Sequence, residues 1–94
     1  MFIIQLTYTK SLREVDNFLA EHKQYLQKYY DRDIFLLSGR KNPRTGGVIL
    51  ANAKDKAIIE QIITEDPFHK NGVAEYTIIE FLPTMAGNSL KHLI

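Results

Sequence analysis

The residues from Phe2 to Tyr8 alternate, with Phe2, Ile4, Leu6 and Tyr8 on one face and the mixed set Ile3, Gln5 and Thr7 on the other. That period of two predicts a strand. Ser11-Leu12-Arg13-Glu14 has the spacing of a capping box, so a helix is expected to start there. Its apolar positions Leu12, Val15, Phe18, Leu19, Tyr25, Leu26 and Tyr29 keep helical spacing, and His22 falls four after Phe18 and three after Leu19. Asp31-Arg32-Asp33 closes the helix, and Ile34 to Ser38 predicts a second, largely buried strand ended by Gly39. The segment from Arg40 to Gly47 reads as an exposed connection, and Val48 to Ala51 as a third strand paired with the second in a hairpin.

Asn52 to Asp55 supplies helix-start residues, and the second helix is expected to reach about Glu65. Within it Ile58 and Ile62 lie four apart, as do Ile59 and Ile63, and Asp66 falls four after Ile62. An acid therefore continues an apolar stripe, and Pro67 behind it is expected to stop the helix and fix where that acid points. Asn71-Gly72 predicts a turn, and Val73 to Phe81 a fourth strand ended before Pro83. Residues 84–94 form a polar tail with scattered apolar positions, either swinging free or docked on a partner.

The order strand, helix, strand, strand, helix, strand is the split βαβ, ferredoxin-like pattern of the α+β class, an antiparallel sheet with both helices on one face. One domain is expected, with a core over residues 1–82. The uncovered sheet face is mixed and uncharged on the first strand, which predicts a homodimer packed sheet to sheet.

Composition narrows the function classes. Apolar residues make up 45% and charged ones 24% of the chain, as in an ordinary globular domain. A net charge of +1 gives no electrostatic case for nucleic acid, and the tyrosines do not interleave with basic residues as a base-stacking sheet requires. The absence of cysteine removes disulfides, thiolate metal sites and a thiol nucleophile. No apolar run approaches the ~18–20 residues of a membrane span, and Phe2-Ile3-Ile4 lacks the flanks of a signal peptide, so a cytoplasmic protein with no membrane partner is expected.

The candidate chemistry sits on the two helical stripes. With both helices on one sheet face, His22 and Asp66 can meet across the groove between them. A carboxylate on one imidazole nitrogen raises the basicity of the other, which makes a general base. The alternative is that Asp66 caps local backbone before Pro67 while His22 bonds a carbonyl. Ser38 and Gly39, where the second strand is expected to end, are candidates for binding a carbonyl or carboxylate oxygen, with Arg40, Lys41 and Arg44 as an anion-docking rim. The other histidines, His69 and His92, are too scattered to propose a metal site.

Together, His22 with Leu26, Leu36-Leu37-Ser38-Gly39, Asp66-Pro67-Phe68, Gly72 and the closing Ile79-Glu80-Phe81 resemble the YciI-like (YCII-related) family over Phe2 to Phe81. The resemblance implies a dimeric α+β barrel and a histidine–aspartate pair in a cleft, carried here by His22 and Asp66. It further implies small-molecule chemistry of the lyase, dehydrochlorinase or isomerase kind. Two positions depart from the family pattern: Arg40 stands where proline often follows the Ser-Gly, and Leu19 stands where an arginine often lies one turn before the histidine.

The leading expectation is a cofactor-independent enzyme that abstracts a proton beside a carbonyl or eliminates, with His22 and Asp66 catalytic and Ser38, Gly39 and Arg40 binding a small-molecule substrate. The alternatives are a noncatalytic ligand-binding or interaction module, and a cofactor-free monooxygenase on the same barrel.

Overall fold

The four stretches with strand character form one antiparallel sheet in the computed structural model, which describes all 94 residues. The strands are β1 (Phe2–Tyr8), β2 (Phe35–Arg40), β3 (Gly46–Ala51) and β4 (Ala74–Glu80), in the order β2-β3-β1-β4. Alternation on β1 sorts the faces as its pattern requires: Phe2, Ile4 and Leu6 are buried under the helices, and Ile3, Gln5 and Thr7 face the other way. Register places Leu6 between Gly47 and Tyr76, and Ile4 between Ile49 and Ile78, so one helix-facing row crosses the three strands. The expected ferredoxin-like α+β architecture is therefore the observed one.

The first helix differs from its expected form. Ser11 Oγ does accept from the Glu14 amide at 3.2 Å, but the segment divides into α1 (Leu12–Asp16) and α2 (Leu19–Asp31). Phe18 leaves helical geometry at φ −112°, ψ 5°, and α2 restarts with the His22 amide on the Phe18 carbonyl at 2.9 Å. Val15 can then bury completely on one axis while Tyr25 and Tyr29 bury on another. A single straight helix would have to serve both contacts with one stripe.

The second helical region is corrected at its end. α3 covers Lys56–Ile63, capped by Asp55 Oδ1 on the Ile58 amide at 3.0 Å, and it buries Ile59, Ile62 and Ile63 while Ile58 faces outward. It stops before the proline, not at it. Pro67 instead opens a further short helix, α4 (Pro67–Lys70), whose first position needs no backbone donor. The Asn71-Gly72 turn is as expected, with Gly72 at φ +65° leading into β4.

β2 continues past Ser38 to Arg40, and β3 begins at Gly46, so the exposed connection shrinks to residues 41–45. Close approach explains the glycine: a Cβ at Gly46 would lie 1.8 Å from the Leu6 carbonyl oxygen. On the uncovered sheet face, Leu37, Leu50, Ile3 and Ile79 are cross-strand neighbours in one apolar row, with Leu37 59% and Ile79 43% exposed. The tail passes exposed Leu82 and Met85 to a short 3-10 helix over Asn88–Leu93. No helix is long and apolar enough to cross a membrane.

Candidate active site

Asp66 is the one buried charged residue of the chain, with no accessible surface. Burying a carboxyl group is tolerable only where its oxygens find donors, and here there are three. Oδ1 accepts from the Phe68 amide at 3.0 Å, as an N-cap of α4, and contacts His22 Nδ1 at 2.8 Å. Oδ2 accepts from the Tyr76 hydroxyl at 2.6 Å. Asp66 thus caps local backbone and meets His22 with the same oxygen, and the His22 ring bonds this carboxylate where the alternative had it bond a carbonyl.

The network assigns the imidazole tautomer. An acceptor-only carboxylate requires a proton on Nδ1, which leaves Nε2 of the neutral ring as the free acceptor. The His22 ring is held flat on Phe68, with centroids 3.9 Å apart and planes 6° from parallel. Orientation therefore comes from an edge contact and a face contact together.

Further bonds tie the end of α3 and the α3–α4 connection to the helix that carries His22. Tyr25 donates to the Ile62 carbonyl at 3.0 Å, Tyr29 to Glu65 Oε2 at 2.6 Å, and Lys28 to Glu65 Oε1 at 2.8 Å. The hydrogen bonds from Lys28 and Tyr29 hold the Glu65 carboxyl below its ordinary range. Burial, and then the nearby Asp66 charge, push the Tyr76 and Tyr25 phenols far above theirs, so both remain hydrogen-bond donors at any ordinary pH.

His22 lies in the wall of a cavity of about 360 Å³ between α2, α4 and the sheet. Leu6, Tyr8, Leu19, Leu26, Ile49 and Phe68 give it an apolar lining, and Lys23, Ser38, Arg40 and Arg44 add polar groups. Leu19, one of the two departures from the resemblance noted above, contributes hydrocarbon to this lining. Asp66 does not reach the cavity; it stands behind the histidine.

The structure separates the binding residues expected from sequence. Arg40 lines the cavity, as does Arg44, which is paired with Asp16 Oδ1 at 2.5 Å and lies over the Tyr8 ring. Lys41 turns away to Thr7 Oγ1 at 3.3 Å. Ser38 lines the cavity too, with its hydroxyl hydrogen-bonded to that of Tyr30. Gly39 lines the cavity as well, in mid-strand opposite Val48 and not at a turn. The Lys41 amide bonds the Gly46 carbonyl at 2.8 Å, and alternation along the ladder then turns the Gly39 amide towards β3. His69 packs edge-on against Tyr76 outside this cavity, and His92 lies in the tail.

Sequence reasoning missed Tyr76 and Lys23. Tyr76 shares the helix-facing alternation of β4 with Ala74 and Ile78, which was a usable signal. Lys23 follows His22 directly and looks like any solvated helix lysine.

The fold has a counterpart among solved structures. It is similar to that of 5-chloro-2-hydroxyhydroquinone dehydrochlorinase from Burkholderia phenoliruptrix AC1100, solved in complex with 2,5-dihydroxybenzoquinone. The TM-score is 0.75 at 18% sequence identity, covering 86% of this chain and 92% of the other. No curated protein matches the sequence. The model of the YCII-related domain matches residues 1–82, and the chain belongs to that family.

Proposed function

We propose that the protein is a small enzyme in which His22 is the general base, Asp66 orients it, and the substrate is a small cyclic compound bearing a carbonyl or its enol. One observation carries this reading: a histidine whose Nδ1 is 2.8 Å from a fully buried carboxylate stands in the wall of a largely apolar cavity. In the step itself, Nε2 takes a proton from the carbon beside the carbonyl. The C–H electron pair moves into an enolate, or expels a leaving group from the neighbouring carbon to form a double bond. Atoms and charge balance with the imidazole alone, so the step calls for no cofactor. Asp66 keeps the Nδ1 proton in place and offsets the positive charge that develops on the ring. Ser38, Gly39 and Arg40, which line the same cavity, hold the substrate oxygen in this reading.

The similarity to a dehydrochlorinase supports an elimination of this kind on the same fold. The apolar row Leu37, Leu50, Ile3 and Ile79 supports a homodimer joined through the open sheet face.

The test is incubation with a panel of cyclic ketones, hydroxyquinols and their chlorinated forms in deuterated water. The reading expects deuterium at the carbon beside the carbonyl, or release of halide, without oxygen uptake. Binding with no chemical change would make the protein a ligand-binding module, and stoichiometric oxygen consumption would make it a monooxygenase.

A further inference from the structure

The charges around the cavity are one-sided. Lys23 and Arg40 line it from α2 and from the end of β2, and no aspartate or glutamate does. This is a local property, because the whole chain has 12 basic and 11 acidic residues. The neighbouring acids are already engaged: Asp16 holds Arg44, and Asp66 faces inward with three hydrogen-bond partners. Lys23 and Arg40 make no salt bridge and no side-chain hydrogen bond anywhere in the protein. Two cations without partners thus border a largely apolar cavity whose lining includes the stacked rings of His22 and Phe68.

We infer that the cavity selects a small planar anion, a ring bearing a carboxylate or an acidic enol oxygen, and that Lys23 and Arg40 are the specificity-determining residues. The inference rests on the cavity being the substrate site. An arginine presents a planar fork to such a group, and a lysine adds a mobile point charge. The chemistry gives a reason for two cations. An anionic substrate that loses a proton to His22 gains a second negative charge, and a cation already in place stabilises that state more than the bound substrate.

The experiment is calorimetric binding of benzoate and of isosteric, neutral benzamide to the full chain, in low and in moderate salt. The same titrations use K23Q, R40Q, the double variant, and K41Q as a control whose side chain points away. Benzoate is expected to bind at least about tenfold tighter than benzamide in low salt, with the gap narrowing as salt rises. Each single variant should lose about three- to tenfold of that preference. The double variant should lose all of it and K41Q none. Equal binding of both compounds, no benzoate binding at millimolar concentration, or a preference that survives in the double variant overturns the inference. Benzoate has no proton to surrender beside a ketone, so the outcome is independent of whether His22 is a base. Conversely, a full anion preference beside a failed exchange assay would discard the enzyme reading alone.

Discussion

The imidazole of His22 lies flat on the ring of Phe68, and the amide of Phe68 bonds the same Asp66 oxygen that contacts His22. One residue therefore sets both the plane of the histidine and the position of its partner. Phe68 is also 1% exposed and closes the core below α4. Replacing it with alanine is expected to cost about 3–5 kcal/mol, read from urea unfolding. F68L keeps most of the volume and should fold, but it removes the flat face. Turnover of an identified substrate should then fall about ten- to hundredfold through misorientation.

In the proposed mechanism Tyr76 acts on the pair through Asp66, as a positioning residue. In Y76F the ring packing stays while Oδ2 loses its only side-chain donor. The expected cost is about 1–3 kcal/mol of stability, since a buried acceptor is left unsatisfied. A lower kcat with little change in KM would mark positioning; equal loss in all folded-state properties would mark a structural role alone.

His22 was legible as a polar residue on the apolar stripe of α2, and Asp66 by its spacing from Ile62, although the structure places that acid beyond α3 as the N-cap of α4. Tyr76 was harder to see. Its hydroxyl acquires a role only when β4 lies beside β1 and under α4, a long-range pairing that local spacing does not carry. Pro67 misled in another way, because proline ends a helix and also starts one, and only the preceding C-terminus of α3 at Ile63 decides between them. Ser38-Gly39 read as a strand end because glycine usually punctuates, whereas here the edge strand runs on to Arg40.

Stability is expected to fall in alkali because of two phenols, those of buried Tyr25 and half-buried Tyr76. Tyr25 and Tyr76 are pushed up, chiefly by burial and then by Asp66. In the unfolded chain they ionise near pH ~10, while the folded chain retains their protons. The unfolded state then binds fewer protons, so stability is full below that pH and declines as pH rises above it. Thermal unfolding between pH 8 and 11 measures this. Y25F and Y76F should each flatten the decline, and an unchanged slope in both would contradict it.

The open sheet face makes a separate claim. Leu37 lies at one end of the apolar row and is 59% exposed. L37D puts a charge on that face without touching the cavity, whose lining does not include it. Light scattering is expected to give a dimer for the native chain and a monomer for the variant.

The central claim is that His22 moves a proton and Asp66 orients it. It is tested most directly by steady-state turnover of the first substrate found in the exchange assay, comparing the native protein with H22Q and D66N. H22Q should reduce kcat/KM by about 10²–10⁴-fold. D66N should lower kcat by at least about tenfold while circular dichroism shows both variants folded. Native rates in either folded variant would contradict the account.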